Sequence, residues 1–287
     1  MSVDINIECV ENFMVNLEEI RKDFEGSGWK SYVEKDDELK HWRYFLSNDP
    51  YTRWGMLKPR GYPGDATLMD FAYRHPSIEK YLNNASSLGK ALYNYTSGAK
   101  QSKSARIRTK FISDEIKKIS ETSSNIKIAS FAIGHGRELE NLSNNDIDNI
   151  SEFLAIDSDF ISLNEISGWD CVKCVNKNVF RISFKNDKSY DLVYSLGLFD
   201  YLDDRYAINL LNRMWRGVKP GGKLLIANLN NEAANLGYCG AIMDWWMIPR
   251  SEDGLSMLAN NINDIKVTNT IEIKTLGCFS YLIITSS

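Results

Sequence analysis

"IKIASFAIGHGRELENLSNNDIDNISEFLAID", Ile126 to Asp157, decides the fold. It reads as strand, glycine turn, helix and second strand, closed by an acid. Ile128 to Ile133 is a short apolar run without charge, the pattern of a strand buried on both faces. Gly134 and Gly136 lack a Cβ, so the backbone there can turn sharply and approach a ligand closely. Asp157 lies 21 residues past Gly136, at the end of the apolar run Phe153 to Ile156. A carboxylate at that point can accept both hydroxyls of a ribose. Taken alone, the order also fits any βαβ unit with a glycine turn.

Downstream the alternation continues. "SDFISLNEISGW" reads as a helix, "VFRISF" as a short strand, and "YDLVYSLGLFDYL" opens with a strand over Asp191 to Ser195 that gives way at Gly197. "DDRYAINLLNRMWRGV" is an amphipathic helix with acids at its N-terminal end, where the helix dipole favours them. "KPGG" predicts a tight turn before the buried strand "KLLIANL", and "SEDGLSMLANNI" a helix opened by Ser251. "IKVTNTIEI" and "FSYLIIT" predict a closing antiparallel pair. Strands alternating with helices imply a Rossmann-like, doubly wound, mostly parallel α/β sheet.

Upstream, residues 1–120 look helical. Val10, Phe13, Met14, Leu17 and Ile20 form one apolar stripe, and Leu39, Trp42, Tyr44 and Leu46 a shorter one. Between Asn48 and Asp65 the pattern breaks: three of the six prolines and three glycines fall within eighteen residues. That composition predicts a structured loop. It carries Arg60, Tyr62 and Asp65, side chains suited to gripping a ligand, though Asp65 also fits as the N-cap of the next helix. A later helix is apolar at Ile107, Phe111, Ile112, Ile116 and Ile119. "TSSN", Thr122 to Asn125, marks the boundary, giving a helical N-terminal region over 1–120 and a nucleotide-binding region over 121–287.

Composition narrows the function. A chain of 287 residues can bury a sizeable core. Its net charge of −4 gives no nucleic-acid footprint, and no apolar run is long enough to span a membrane. The start lacks the marks of a secretory signal, and five cysteines suggest free thiols in a reducing cytoplasm. Cys171 and Cys174 form a C-x-x-C without a second pair or nearby histidines, a poor metal site, read as half-buried helix thiols. No metal is expected.

"IASFAIGHGRE", "LAID", "YDLVYSLGLFDYL" and "VKPGGKLLIANL", in that order, resemble the motifs of class I S-adenosylmethionine-dependent methyltransferases. "KPRGYPGDATLMDFAY", "YSLGLFDYL" and "MDWWMIPR" are similar to the bacterial extracellular-factor 3-hydroxypalmitate methyl ester biosynthesis proteins, carboxyl O-methyltransferases with a helical N-terminal region. The resemblance implies S-adenosylmethionine as cofactor and a seven-stranded sheet with a C-terminal antiparallel pair. It also implies a helical N-terminal lid whose Arg60 to Asp65 loop folds over the cofactor end. By family position Asp157 holds the ribose, with Ser158 beside it. Ser183 and Phe184 approach the adenine; Ser195 and Gly197 lie beside the methionine. Gly134, His135 and Gly136 form the cofactor turn. This chain departs from the family at Ser130 and Ala132, which stand where an acid and a first glycine are usual. Arg60 and Tyr62 are candidates to replace that grip on the amino-acid end.

The sulfonium is already activated, so alignment carries much of the rate, and a carboxylate acceptor needs no base. Tyr62, Asp65, Tyr194 and Tyr201 are the catalytic candidates. Aromatic faces, including Phe199, Trp245 and Trp246, suit a cation. The expected activity is methylation of a small-molecule acceptor, such as a carboxylate or hydroxy acid, in bacterial secondary or signalling metabolism. The protein is expected to be cytoplasmic, a monomer or homodimer. Two alternatives stay open: cyclisation of S-adenosylmethionine to azetidine-2-carboxylate with release of methylthioadenosine, and a silent cofactor-binding module.

Overall fold

The structure, a computed structural model, describes residues 7–24, 28–184, 188–233, 235–263, 265 and 268–287. The chain forms two compact units: one runs to Arg106 and includes Glu232–Met247, and the other comprises Ile107–Asn231 with Ile248–Ser287.

The first unit is helical. Its elements are α1 (Ile7–Lys22), α2 (Gly28–Lys35), α3 (Glu38–Leu46), α4 (Pro50–Leu57), α5 (Ala66–Tyr73), α6 (Glu79–Asn83), α7 (Ser87–Gly98) and the start of α8 (Lys100–Thr122). The stripe of α1 buries Val10, Met14 and Leu17, as its spacing predicts. The stretch from Asn48 to Asp65 is not wholly a loop. Asp49 accepts from the Tyr51 and Thr52 N–H groups, Pro50 takes the first helical position, and α4 runs on to Leu57. A proline there loses no hydrogen bond and brings a helical φ, so it starts a helix rather than breaking one. Beyond α4, residues 58–65 are irregular, with Gly61 and Gly64 at positive φ.

The second unit holds a seven-stranded sheet of order β3-β2-β1-β4-β5-β7-β6. The strands are β1 (Ile126–Phe131), β2 (Ile150–Asp157), β3 (Val172–Asn176), β4 (Tyr190–Ser195), β5 (Val218–Leu229), β6 (Thr270–Leu276) and β7 (Phe279–Thr285). The first five are parallel and β7 joins β5 antiparallel, as the alternation and the closing pair predict. The helices, in order, are the rest of α8, α9 (Asn144–Asp148), α10 (Phe160–Ile166), α11 (Asp204–Trp215), then α12 (Leu236–Met243) of the first unit and α13 (Glu252–Asn260). The central strands are mostly apolar because both faces are covered; all six residues of β4 are buried. Asp191 is the charged residue of β4, and it is paired. It accepts from the Lys127 N–H at 2.8 Å and from the Lys219 ammonium, fastening β4 to its neighbours where it begins.

Three local expectations are corrected. "VFRISF" is not a strand but a 3-10 turn, Val179–Arg181, and an extended tail; the third strand is the earlier Val172–Asn176. Cys171 and Cys174 therefore lie at and in an edge strand, not on a helix, and no disulfide forms among the described residues. "KPGG" is not a turn between elements. It bulges within β5, where the pairing jumps from Tyr190–Val218 to Leu192–Lys223, with Gly221 at φ +76°. On α8 Ile107 is 46% exposed; the buried position beside it is taken by Arg108, 4% exposed.

Candidate functional site

The parallel strands end together on one side of the sheet, the side where ligands bind in open α/β folds. After β1 the chain turns through three positive-φ residues, Ala132, Gly134 and Gly136. The turn is closed by Gly136 N–H on the Ile133 carbonyl and Leu139 N–H on the Gly136 carbonyl. A short 3-10 turn, Leu139–Asn141, and α9 follow in place of one long helix. Gly136 is sterically required. At φ +59°, a Cβ would stand 2.9 Å from Ile166 Cγ2.

Asp157 ends β2 with 8% of its surface exposed. Its Oδ2 accepts from the Gly134 N–H at 2.8 Å and its Oδ1 from the Asp159 N–H at 2.8 Å. Burial raises its carboxyl above the usual range, and the Asp159 and Gly134 N–H groups pull it back. Each oxygen carries one of these bonds, and a carboxylate offers about four acceptor directions, so hydroxyl donors can still be received.

Glu138 lies just beyond the turn and is buried. The Tyr194 hydroxyl donates to its Oε1 at 2.7 Å, and the Ser113 hydroxyl to its backbone carbonyl at 2.8 Å. Desolvation raises the Glu138 carboxyl, while Tyr194 and Arg108 oppose the shift. Tyr194 pairs in register with Ser130, is completely buried, and has its phenol pushed well above its normal range by burial. It therefore serves as a hydrogen-bond donor rather than as a phenolate. His135 and Arg137 are buried beside one another, Nη2 to Nδ1 at 3.3 Å, and Arg137 pairs with Glu140 at 2.7 Å.

After β4, the Ser195 hydroxyl donates to the Phe131 carbonyl at 2.8 Å, tying the ends of β1 and β4. Arg108 Nη1 donates to the Leu196 carbonyl at 2.7 Å, and the guanidinium lies 4.5 Å from the Phe279 ring centroid. Asp200 is buried, accepts from the Leu229 N–H at 2.6 Å, and is pushed up to about 6 by desolvation. Arg250 braces the same turn, donating to the Phe199 carbonyl at 2.8 Å and Asn228 Oδ1 at 2.7 Å and pairing with Asp204. Tyr201 is half-buried in the 3-10 turn Phe199–Tyr201.

The structure thus gathers Gly134, His135, Gly136, Asp157, Ser158, Tyr194, Ser195, Gly197 and Tyr201 around the ends of β1, β2 and β4. Ser158 is exposed there. Ser183 and Phe184 do not follow the third strand. Ser183 is exposed, and Phe184 is core, 5.0 Å from the Tyr190 ring and 5.8 Å from that of Phe131, packed where a Cβ on Gly217 would clash. Arg60, Tyr62 and Asp65 belong to the first unit. Arg60 donates to Thr67 Oγ1 at 3.1 Å, and Tyr62 is 39% exposed. Asp65 caps α5 through the Leu68 N–H and receives the Trp54 indole N–H at 2.8 Å. Trp245 and Trp246 are also in that unit, Trp246 packed on Gly240.

Glu138, Asp200 and Arg108 went unnoticed in the sequence. Arg108 had a signal: it precedes Phe111 and Ile112 by three and four residues, so it shares their buried face. A charged residue inside an apolar stripe is costly unless something uses it.

Residues 130–226 match a family model described as a methyltransferase domain. The match covers about a third of the chain. It runs from Ser130 on β1 to Ile226 on β5 and so encloses the glycine turn, Asp157 and the turn after β4. No curated protein matches the sequence. Among solved structures, a possible exported protein from Bordetella parapertussis is similar at a TM-score of 0.60 and 17% identity, over 77% of this chain and 79% of that one. An S-adenosylmethionine-dependent methyltransferase from Mesorhizobium loti has a TM-score of 0.44 and 13% identity, over 56% of this chain and 91% of that one. The N-methyltransferase NodS from Bradyrhizobium japonicum WM9, bound to S-adenosyl-L-homocysteine, has a TM-score of 0.43 and 12% identity, over 62% and 86%. Among the described residues no helix is long and apolar enough to cross a membrane, and no group of three or more His, Cys, Asp or Glu could hold a metal.

Proposed function

We propose that the protein uses S-adenosylmethionine to methylate a small molecule bearing an ionised oxygen, a carboxylate or hydroxy acid. The observation that carries this is Asp157: a buried carboxylate at the end of β2, bonded to the Gly134 N–H of a positive-φ turn, within the matched methyltransferase domain. The residues fit the group. Asp157 keeps acceptor capacity for ribose hydroxyls, and the turn from Ala132 to Gly136 brings backbone rather than side chains toward the ligand end.

When bound, S-adenosylmethionine supplies an activated methyl group, and transfer to a carboxylate oxygen breaks the carbon–sulfur bond, leaving the electron pair on sulfur with no proton moved. The protein's part is therefore placement. Asp157 fixes the ribose, Gly134, His135 and Gly136 shape the turn, and Ser195 and Gly197 flank the methionine side. Arg250 and Asn228 hold the turn after β4 still, since they tie it to β5.

Product analysis tests the proposal. Incubation with S-adenosylmethionine and pooled carboxylic and hydroxy acids should give adenosylhomocysteine and a methyl ester, each only when acceptor is present. Methylthioadenosine and azetidine-2-carboxylate formed without acceptor would replace methyl transfer with cyclisation. Binding without any product would leave a silent module.

A further inference from the structure

We propose that the protein forms a two-fold symmetric dimer in which the outer edge of β6 pairs with the β6 edge of a second copy, antiparallel and centred on Ile273. The inference is independent of the cofactor reading. β6 ends the sheet, with β7 as its one neighbouring strand among the described residues. Its pairing to β7 runs without a shift from Thr270–Thr285 to Leu276–Phe279, so the seven-residue edge is regular. The two strands are linked by the two-residue turn of Gly277 and Cys278, with Gly277 at φ +63°. A hairpin that short is closed by a hydrogen-bonded pair, here Leu276 with Phe279, and bonded pairs then alternate along the ladder. Thr270, Glu272, Lys274 and Leu276 therefore bond to β7, while Ile271, Ile273 and Thr275 turn their N–H and C=O groups outward. Among the described residues no backbone hydrogen bond outside the ladder uses those outward groups. A regular unpaired edge is a template for another strand.

The side chains select a second copy as the occupant, and one register for it. Centring the pair on Ile273 overlaps the whole of β6 and sets Glu272 opposite Lys274 of the second copy, twice by symmetry. Centring it one residue earlier sets Glu272 against Glu272, and one residue later Lys274 against Lys274. Opposite charges in facing positions stabilise a strand pair, and like charges destabilise it. An edge lysine usually keeps strands apart, but here Glu272 supplies its counter-charge. The outward backbone groups also meet in this register: Ile273 faces Ile273, and Ile271 faces Thr275 in both directions, each pair exchanging two hydrogen bonds. The two faces agree. Lys274 lies on the α8 side, 5.1 Å from the Phe111 ring centroid, and shares a cavity lining with Glu272. On the other side Ile273 packs on the core and Ile271 is 38% exposed, so pairing adds apolar neighbours there. The opposite edge, β3, is five residues long and carries Lys173 without an acid, so it has no such self-complementarity.

Sedimentation velocity of the full chain, from about 5 to 500 μM, tests the proposal. An interface of one strand edge is small, so the dissociation constant should fall within about that range. Glu272→Lys should weaken association by about 30-fold or more, and Lys274→Glu likewise, because each variant edge carries a single sign of charge. An equimolar mixture of the two variants should associate again, as a heterodimer, since both facing pairs are then opposite in sign. Ile271→Pro should weaken association by about tenfold through loss of an outward N–H, and the fold should survive because that N–H does not bond to β7. Thermal melts of the dilute variants that match wild type confirm that survival. A monomer at every concentration, or a dimer indifferent to Glu272→Lys and Ile271→Pro, would overturn the proposal. Two weakened variants that fail to recover when mixed would overturn the Ile273-centred register.

Discussion

Two stretches of this chain are built from the same parts. Residues 58–65 and the turn after β1 each carry positive-φ glycines, Gly61 and Gly64 in one and Gly134 and Gly136 in the other. Each is tied to a buried aspartate, Asp65 at 1% and Asp157 at 8% exposure. Their surroundings differ. Asp65 faces a helix start and the Trp54 indole, so its acceptors are engaged within its own unit. Asp157 stands at a strand end among backbone N–H groups, one to each oxygen. A buried aspartate is therefore not itself a sign of binding; what matters is whether acceptor capacity is left and where the strand points.

Substitutions can break that contrast, and the largest effect is expected at Asp157. Asp157→Ala should weaken adenosylhomocysteine by about 100-fold in titration, as two hydroxyl bonds to a charged acceptor are lost. A loss no greater than that in Asp65→Ala would erase the distinction. Next come the glycines, compared by urea unfolding. Gly136→Ala combines left-handed strain with a 2.9 Å contact on Ile166 and should cost about 2–4 kcal/mol. Gly61→Ala has open space around it and should cost only about 1 kcal/mol of strain. Similar costs would mean that the second turn is no more tightly packed than the first.

Asp65→Ala should lower stability by about 1–2 kcal/mol through loss of the α5 cap. A fall in ligand affinity beyond that predicted by the unfolded fraction would bring Asp65 into the site. The smallest effect is expected with pH. Burial raises the Asp157 carboxyl in the folded protein, so protonation favours the fold, and that contribution fades as pH rises through the raised pKa. Ligand affinity should move the other way, rising with pH as the carboxylate forms, and Asp157→Asn should flatten it. An affinity profile unchanged by Asp157→Asn would remove the carboxylate from binding.

How much of this was legible follows from where side chains point. β1, β2, β4 and β5 were readable because strands covered on both faces are apolar runs. β3 was missed because it is an edge strand with Lys173, Cys174 and Asn176 exposed, leaving no apolar signature. The apolar residues of "VFRISF" then drew the assignment, although they pack as a 3-10 turn and its tail. The misplaced strand carried Ser183 and Phe184 with it. α4 was hidden by composition, since Pro50 signals a break unless Asp49 is recognised as its cap. In the site, the glycine turn and Asp157 were visible because both are local patterns. Arg108 was not, because it reaches the site from α8, 88 residues from the Leu196 carbonyl it holds.

The most direct measurement is a crystal structure with adenosylhomocysteine. The account predicts the ribose hydroxyls on the Asp157 carboxylate, beside the Gly134 turn. A nucleoside seated away from the ends of β1, β2 and β4 would contradict it.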